Sequence, residues 1–318
     1  GIITLDDLSA YTALVREPIH TTYRGYDVYG MPPPSSGGTT IAQILNILEN
    51  YELSSWKRRE AGTIHLLAEA MRIGFYNRAK YLGDTDFVDI DLTRLTSKEF
   101  VQPFKLRIDL EEATASTELG KDIITRGEGT ETTHFSIIDG AGNMVTNTYT
   151  IEQGFGSRVV VKGTGFLLNN EMHDFNMNPG ITDTNGMIGS LPNLIEPSKR
   201  MLSSMSPTLV LKNGNPFLAT GSPGGRTIIN TVLQVIINTI DFGMNVQAAV
   251  DEPRIHHQWM PDRLNMEEEL GAIEVTMRRR GHMTRIVRRQ GDAHSIIVLD
   301  GEIFAGMDRR LRGGAAGY

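Results

Sequence analysis

The chain has 318 residues, of which 40% are hydrophobic and 22% charged, values that are ordinary for a globular protein with a substantial core. Its formal net charge of −7 argues against a nucleic-acid partner, and the absence of cysteine excludes disulfides, thiolate catalysis and cysteine-ligated metals. No run of about eighteen apolar residues occurs, so no membrane span is predicted in this segment.

The beginning of the chain already has the pattern of a helix start. Thr4 and Asp7 have the spacing of a capping box, and a short amphipathic helix is predicted over residues 5–15. The first residue is Gly1 rather than methionine, and no signal-peptide pattern follows it. We therefore expect the sequence to be a piece of a longer gene product.

Two longer helices are predicted in the remainder of the first 131 residues. A tyrosine-bearing strand is predicted over residues 23–31, and the three prolines at 32–34 forbid a helix directly after it. Apolar residues then recur at helical spacing over 39–53 and again over 63–82. This part of the chain is predicted to be mostly helical.

A predicted β-hairpin begins at an unusual junction. Residues 111–131 are polar, rich in Thr and Gly and weakly patterned, which indicates an exposed linker. Alternating residues then predict one strand from Thr132 to Ile138 and a second from Met144 to Thr150, joined by a glycine-rich turn. A solvated connector that runs straight into a core strand suggests that the junction itself has a function.

The rest of the chain is rich in strands that are grouped into hairpins. Asn213-Gly214 and Asp300-Gly301 each stand between two apolar runs, and both pairs are typical of two-residue hairpin turns. Hairpins with segregated helices indicate an α+β fold, in which antiparallel sheets are layered against helices. The further predicted strands cover 157–161 and 165–170, and the predicted helices cover 226–240 and 267–280.

Thr132 is the candidate nucleophile. A threonine hydroxyl needs a base, and the α-amine of a residue at a chain terminus, which titrates near neutrality, supplies one within the same residue. Attack of this hydroxyl on the preceding carbonyl would cleave Glu131–Thr132 and create that terminus. On the hairpin alone, the stronger alternative is that threonine begins a strand through its β-propensity.

Three further groups of residues suit acyl transfer to or from a zwitterionic substrate. Backbone N–H groups at Gly224 and Gly225, just before a predicted helix, could form an oxyanion hole, although a tight turn explains these glycines equally well. The carboxylates of Glu171 and Asp174 could hold the ammonium of a ligand, and the hydroxyls of Ser203 and Ser204 could hold its carboxylate. Ordinary loop polarity explains these residues equally well.

Taken together, these segments match one family. The chain resembles the γ-glutamyltransferases (γ-glutamyl transpeptidases), which are N-terminal-nucleophile hydrolases. The resemblance extends over the whole chain and is carried by an ordered series of motifs: "YRGYDVYGMPPPSSGGTTIAQILNILENYEL", "TTHFSIID", "LLNNEMHDFN", "LSSMSPTLVLKNG", "GSPGG", "PRIHHQWMPD" and "RRLRGGAAGY".

The resemblance implies a fold, a processing step and a reaction. An inactive precursor, a zymogen, would cut itself before Thr132 to give a large and a small subunit in a four-layer αββα sandwich. Residues 1–131 would be the end of the large subunit and 132–318 the small subunit, intertwined in one fold. The enzyme would transfer a γ-glutamyl group from a γ-amide such as glutathione to water or an acceptor amine, without cofactor or metal. A periplasmic or secreted location is also implied.

The resemblance gives each candidate residue a role. Thr132 would be the nucleophile for self-cleavage and for acylation, and Thr150 would orient it. Gly224 and Gly225 would form the oxyanion hole. Glu171 and Asp174 would bind the α-amino group of the donor, and Ser203 and Ser204 would bind its α-carboxylate.

The sequence departs from the family pattern at Glu152, where an asparagine is usual. A third carboxylate would favour an ammonium in the substrate but repel the donor's own carboxylate, as suits a more general amide acylase. The arginine that pairs with this carboxylate in the family belongs to a part of the large subunit that the sequence does not contain. Residues 179–197 have the length of the family's active-site lid, with Asn185 in place of a frequent aromatic residue.

Two alternative functions stay open: an acylase of glutaryl or other acyl amides, and an inactive truncated subunit. A metal site at His256 and His257 is disfavoured, because adjacent histidines in a strand point to opposite faces and no third ligand has suitable spacing. His134 is predicted to make a structural hydrogen bond. The basic cluster, predicted to be a solvated face, comprises Arg278, Arg279, Arg280, Arg285, Arg288 and Arg289.

Overall fold

The computed structural model describes residues 3–120, 132–180, 182, 189–311 and 313–317. Its helices are α1 (Leu5–Ala10), α2 (Gly37–Leu48), α3 (Ala61–Tyr81), α4 (Leu92–Leu95), α5 (Lys98–Lys105), α6 (Ser116–Leu119), α7 (Thr227–Ile240), α8 (Val246–Asp251) and α9 (Glu274–Arg279). Its strands are β1 (Ile19–Tyr23), β2 (Tyr26–Gly30), β3 (Thr133–Ile138), β4 (Met144–Tyr149), β5 (Thr208–Lys212), β6 (Asn215–Gly221), β7 (Ile255–His256), β8 (Leu264–Glu267), β9 (Thr284–Val287), β10 (His294–Leu299) and β11 (Glu302–Met307).

The central element is a six-stranded antiparallel sheet with the order β1-β2-β5-β6-β10-β11. The two predicted hairpin turns connect β5 to β6 and β10 to β11. Asn213, Gly214, Asp300 and Gly301 all have positive φ, as a type I′ turn requires. Because β2 pairs with β5, strands from both sides of residues 121–131 belong to the same sheet.

Helices cover one face of this sheet. Helices α2 and α7 pack against its strands and against each other, and α3 packs on α2. All residues of α2 are buried, and in α7 burial extends from Ile228 to Thr239. The α2–α3 contact is close, because a Cβ at Gly74 of α3 would lie 2.6 Å from the Ile44 side chain of α2. Burial of these apolar helices supplies most of the hydrophobic core.

The β3–β4 hairpin forms a second sheet on the opposite face. It packs on β5, β6 and β10, so that the described residues make a helical layer, a six-stranded layer and a two-stranded layer. Side chains alternate between the two faces of the hairpin. The outer face carries exposed apolar side chains, namely Phe135, Ile137, Val145 and Tyr149. The α+β prediction, with sheets layered against helices, is confirmed.

Some predicted elements differ from those in the structure. The single strand predicted over 23–31 is the second half of a hairpin, since Arg24 and Gly25 form a tight turn at φ 52° and 80° between β1 and β2. The stretch 157–170 contains only an isolated bridge between Val160 and Leu167. Helix α1 ends at Ala10. The helix predicted over 267–280 is a 3₁₀ turn, Glu268–Ile273, followed by α9.

The segment before residue 121 is anchored to the fold. The Ser116 backbone N–H donates to Asp262 Oδ2 (2.7 Å), and Trp259 Nε1 donates to the Ser116 carbonyl (2.8 Å). Gly120 lies so close to Trp259 and Tyr76 that a Cβ there would be 2.6 Å from the tryptophan ring. The linker predicted over 111–131 is therefore held in place up to residue 120, and 121–131 lie outside the described residues.

A buried polar cluster supports this anchor. His65 and His282 share a hydrogen bond of 2.8 Å, and Arg72 donates to Glu69 and contacts His257 at 3.1 Å. His65, Glu69 and His282 are close enough to ligate one metal ion. However, the Arg72 guanidinium already provides the positive charge beside Glu69, so a hydrogen-bonded structural network explains the cluster. No helix in the described ranges is both long and apolar enough to cross a membrane.

We predict that the fold loses stability as the pH falls below about 6.5. Burial, and then the charge of Arg72, lowers the pKa of His257 to about 3. The unfolded chain, whose histidines titrate near 6.5, therefore takes up a proton that the folded chain excludes, which costs up to about 1.4 kcal/mol per pH unit for each such group. Urea unfolding at pH 7.5, 6.5 and 5.5 measures this slope.

The test compares the wild-type protein with His257→Gln, in which a neutral amide replaces this buried imidazole. His257→Gln should make the dependence of stability on pH shallower by about one proton. An unchanged slope in His257→Gln contradicts the assignment.

Candidate active site

The candidate nucleophile, Thr132, lies one residue before β3 and is half-buried. The last pair of the hairpin joins Thr133 to Tyr149, so the next step along both strands brings Thr132 opposite Thr150. Alternation puts Thr132 on the same face as His134, which is the face that packs on β6 and β10.

The position of β3 along the sheet follows from two contacts. Ser136 Oγ donates to the carbonyl of His294 in β10 (3.2 Å), and the His134 ring lies against the Cα of Gly221, where a Cβ would overlap it. Ser136 thus lies beside β10, and His134 lies beside Gly221, the last residue of β6. Thr132 lies two residues before His134, so the contact of His134 with Gly221 places the start of β3 near the end of β6.

His134 is held by hydroxyl groups. Its Nδ1 hydrogen-bonds to Thr148 Oγ1 (2.7 Å) and its Nε2 to Ser136 Oγ (3.0 Å), while Thr146 Oγ1 donates to the Thr220 carbonyl (3.1 Å). Burial, and then the neighbouring His294, lowers the pKa of His134 to about 3, so the ring is neutral at physiological pH. This is the structural hydrogen bonding predicted for His134.

Gly224 and Gly225 form the turn between β6 and α7. Their φ angles are 132° and 56°, values that side-chain-bearing residues rarely adopt. Their carbonyls accept from Thr227 (3.2 Å) and Ile228 (3.1 Å), whereas neither glycine N–H donates to any residue in the described ranges. Two N–H groups at the N-terminus of a buried helix can receive an anionic oxygen.

Glu152 and Glu171 form a buried pair of carboxyls near the end of β4. Glu152 has a φ of 75°, its backbone N–H donates to Thr150 Oγ1 (2.8 Å), and Asn170 Nδ2 donates to its Oε2. Glu171 begins a 3₁₀ turn that ends at Asp174. Burial, and then the charge of Glu152, raises the pKa of Glu171 to about 7, while a hydrogen bond to Asp174 acts in the opposite direction.

Two oxygens of this carboxyl pair lack a partner. Among the described residues, neither Glu152 Oε1 nor Glu171 Oε1 accepts a hydrogen bond, although both are buried. The Nδ1 of His173 lies 3.7 Å from Glu152 Oε1, which is too far for a hydrogen bond. Buried acceptors without donors are costly, so this pair is suited to a ligand that brings an ammonium group.

Ser203 and Ser204 precede β5 and contact the first part of the chain. Ser203 Oγ donates to Ser35 Oγ (2.7 Å), and Ser36 Oγ donates to the Ser203 carbonyl (2.7 Å). The guanidinium of Arg78, from α3, donates to Ser204 Oγ (3.0 Å). Sequence reasoning assigned no site role to these three partners, because nothing in the "PPPSSGG" motif or in the helical pattern of α3 marks them.

Sheet geometry brings these groups to one edge. Antiparallel pairing of Thr208 with Thr220 puts the start of β5 and the end of β6 at the same edge of the six-stranded sheet. Asn193 ties the acidic turn to this edge, since its Nδ2 donates to the Asp174 carbonyl (2.7 Å) and its Oδ1 accepts from the Leu202 N–H (2.9 Å). The candidate lid residue Asn185 lies outside the described residues.

The family model for gamma-glutamyltranspeptidase matches residues 1–318. The chain belongs to the γ-glutamyltranspeptidase family. Its members are N-terminal-nucleophile hydrolases, so the resemblance inferred from the ordered motifs is confirmed, as is the αββα fold class.

Two curated relatives within this family carry different names. The glutathione hydrolase proenzyme of Escherichia coli (strain K12) is 43% identical over 312 residues, which cover 98% of this chain and 54% of that protein. The acylase ACY 1 proenzyme of Pseudomonas sp. (strain SE83) is 38% identical over 290 residues, which cover 91% of this chain and 49% of that protein. The chain thus spans about half the length of the curated relatives it matches.

Solved structures that resemble this chain likewise include an acylase and a γ-glutamyltranspeptidase. The cephalosporin acylase from Bacillus halodurans superposes with a TM-score of 0.85 at 30% identity, over 100% of this chain and 56% of that chain. A γ-glutamyltranspeptidase mutant of Helicobacter pylori superposes with a TM-score of 0.54 at 45% identity, over 56% of this chain and 100% of that chain. The family therefore includes both of the named activities that sequence reasoning left open.

We predict that Gly221→Ala destabilises the fold by about 1–3 kcal/mol, the usual cost of overpacking. The new methyl group would overlap the His134 ring, which two hydroxyls hold in place. Urea unfolding measures the loss. Gly62→Ala in α3 is the control, because no atom lies within 4 Å of that Cβ, and it should be neutral or slightly stabilising. Equal stability of the two variants contradicts the close contact.

Proposed function

We propose that the protein is a self-processing γ-glutamyl hydrolase or transferase with Thr132 as its nucleophile. The observations that support this proposal are three chemically distinct groups, which the His134–Gly221 contact and the Asn193 hydrogen bonds connect to the end of β6 and to the segment before β5. These groups are the start of β3, the two uncovered N–H groups before α7, and the buried carboxyl pair. Acyl transfer to a threonine requires a nucleophile, an oxyanion site and a site that holds the substrate.

The proposed reaction begins with the precursor. Thr132 Oγ1 attacks the carbonyl of Glu131, the peptide C–N bond breaks, and the nitrogen becomes the α-amine of Thr132. Water hydrolyses the resulting ester, which frees the hydroxyl and leaves a carboxyl group on Glu131. The α-amine then serves as the base within the same residue.

In turnover, the Thr132 hydroxyl attacks the γ-carbonyl of the donor and passes its proton to the α-amine. The amide N–H groups of Gly224 and Gly225 stabilise the oxyanion, and the amine leaves with that proton. Water or an acceptor amine then attacks the γ-glutamyl ester and regenerates the hydroxyl. Thr150 is opposite Thr132 by strand register and is proposed to orient it.

The substrate is proposed to be a γ-glutamyl amide such as glutathione. The ammonium of the donor would meet Glu171, Asp174 and Glu152, and its carboxylate would meet Ser203 and Ser204. Two subunits, 1–131 and 132–318, would remain associated because β2 pairs with β5 across the cut. A periplasmic or secreted location stays a prediction from the family resemblance.

A second candidate function is hydrolysis of other acyl amides. The observation in its favour is Glu152, whose buried carboxylate next to Glu171 disfavours a substrate with its own carboxylate nearby. A related protein is named an acylase. Comparing a γ-glutamyl anilide with its des-amino glutaryl analogue separates the two candidates, because a preference for the analogue favours the acylase.

We predict that Thr132→Ala gives one uncut chain without turnover, because it removes the only proposed nucleophile. Intact-mass measurement and hydrolysis of γ-glutamyl anilide are the readouts. Thr133→Ala, at the exposed neighbouring position, should still be cut and active. Cleavage before residue 132 in Thr132→Ala would falsify the proposal, and an uncut, inactive wild-type protein would support the alternative of an inactive subunit.

We predict that preference for the ammonium-bearing donor depends on pH through Glu171. At a pKa of about 7, Glu171 is mostly protonated at pH 6, so the ratio of kcat/KM for γ-glutamyl over glutaryl anilide should fall about tenfold from pH 8 to pH 6. The ratio cancels titration of the Thr132 amine, which affects both donors.

Glu152→Gln removes the neighbouring negative charge and should shift this transition to lower pH, since a like charge raises the pKa of a carboxyl. Asp174 and His173 are further titratable groups beside this carboxyl pair, and the variant retains both. An identical transition in the wild type and in Glu152→Gln contradicts the coupled carboxyl pair.

A further inference from the structure

The two peptide groups that carry the proposed oxyanion donors are each held by a side-chain hydroxyl. Ser222 Oγ donates to the Pro223 carbonyl (2.6 Å), and Thr227 Oγ1 donates to the Gly224 carbonyl (2.7 Å). The pattern of the sequence gave roles to Gly224 and Gly225 but none to Ser222 or Thr227. Both hydroxyls nevertheless act on the direction of the two glycine N–H groups.

The planarity of the peptide group links each carbonyl to the N–H of the following residue. In a trans peptide the C=O and N–H bonds point to opposite edges of one plane, and both peptide groups of this turn are trans. Anchoring the Pro223 carbonyl on Ser222 therefore directs the Gly224 N–H to the opposite edge. Anchoring the Gly224 carbonyl on Thr227 directs the Gly225 N–H in the same way.

Ser222 is itself fixed by the segment before β10. It is fully buried, and its Oγ accepts from the Asp292 backbone N–H (2.9 Å). Because a hydroxyl has a single proton, the proton of Ser222 is committed to the Pro223 carbonyl. Gly291 allows the close approach of this segment, since a Cβ there would lie 3.0 Å from Ser222 Oγ.

Thr227 holds the second peptide group from the first turn of α7. Its backbone N–H (3.2 Å) and its hydroxyl both donate to the Gly224 carbonyl. The packing is tight, because a Cβ at Gly224 would lie 2.5 Å from Thr227 Oγ1. The two glycines are only half-buried, whereas Ser222 is fully buried, so this anchor lies inside the fold and the turn reaches its surface.

We propose that Ser222 and Thr227 are positioning residues that hold the N–H groups of Gly224 and Gly225 in the direction needed to receive the oxyanion. Donors that are already in place stabilise a tetrahedral intermediate without reorienting when its charge develops. Glycine has more backbone freedom than any other residue, so a turn of two glycines needs anchors to keep its N–H groups in one direction. This inference rests on the proposed function and names the side chains that maintain its oxyanion site.

The test separates binding of the donor from stabilisation of its tetrahedral state. The protein is used after self-cleavage with both subunits present, and kcat/KM is measured for γ-glutamyl anilide. The first inhibitor is a glutamate analogue with a boronic acid in place of the γ-carboxyl group. The Thr132 hydroxyl forms an O–B bond with it and passes its proton to the α-amine, which gives an anionic tetrahedral boronate.

The second inhibitor is norvaline, which has a methyl group in place of the γ-carboxyl group. It keeps the ammonium and the carboxylate of the donor but has no side-chain oxygen that could accept from the glycine N–H groups. Its affinity therefore reports ground-state binding alone, whereas the boronate reports binding of a transition-state analogue.

Thr227→Val replaces the hydroxyl by a methyl group of similar shape, and Ser222→Ala removes the other anchor. Each should lower kcat/KM and the affinity for the boronic acid together, by about tenfold to a hundredfold, because a misdirected donor stabilises the oxyanion less well. Affinity for norvaline should change by less than about threefold, since ground-state binding is retained. Thr227→Ser keeps the hydroxyl and should stay within about threefold of the wild type in all three measurements.

Thr231→Val is the matched control. Thr231 lies one turn further along α7 and is 1% exposed, and its Oγ1 has no hydrogen-bond partner among the described residues. The same exchange of a hydroxyl for a methyl group should therefore leave all three measurements unchanged. An equal fall of kcat/KM in Thr231→Val and Thr227→Val would overturn the inference, because any disturbance of this helix would then have the same effect.

The outcomes also separate this inference from the proposed function. If the wild-type protein does not hydrolyse γ-glutamyl anilide, the proposed function fails. If it does, and Thr227→Val and Ser222→Ala either change nothing or weaken norvaline as much as the boronic acid, the function stands and the positioning role is wrong. If one of these variants does not fold or is not cut, the same criteria are applied to the other.

Discussion

The contact between the His134 ring and Gly221 is the constraint on which the candidate site depends. The glycine lets the imidazole lie against the last residue of β6, and the neutral ring can donate to one hydroxyl and accept from the other, Thr148 and Ser136. A two-stranded hairpin is marginally stable by itself, so its position is set by what it packs on. Fixing His134 therefore also constrains Thr132, which lies two residues earlier in the same hairpin.

The candidate site contains residues from both parts of the chain because the central sheet contains strands from both parts. Strand β2 from the first part of the chain pairs with β5 from the second, and Ser35 forms a parallel bridge with Ser203 beyond the end of that pairing. Arg78 adds a buried guanidinium from α3. The proposed cut before Thr132 would thus fall between two segments that share a sheet and a core. Separating them would expose the buried helices and leave polar groups of the serine loop without partners.

The elements predicted correctly are those whose conformation depends on residues close together in the sequence. Turn residues at Asn213-Gly214 and Asp300-Gly301 identified two hairpins, because their backbone conformation is encoded within a few residues. The stretch 157–170 has strand-like composition but makes only one bridge, since β-propensity depends on an available partner. Arg78 was not predicted because its hydrogen bond to Ser204 spans 126 positions, and no periodic pattern shows which charged residues of α3 are buried.

The two ends of the proposed substrate site have opposite electrostatic character, and one side chain fixes their spacing. Glu152 and Glu171 provide buried carboxyl groups with acceptor oxygens, while at the other end the Arg78 guanidinium donates to the Ser204 hydroxyl. Asn193 is buried between them and bonds to the backbone on both sides, at the Asp174 carbonyl and the Leu202 N–H. A rigid backbone tie of this kind holds the two charges of a zwitterion at a set separation, which the flexible carboxylate and guanidinium side chains could not do alone. Selection for an α-amino acid over a simple amine or a simple acid would then follow from the distance between the two ends as much as from their charges.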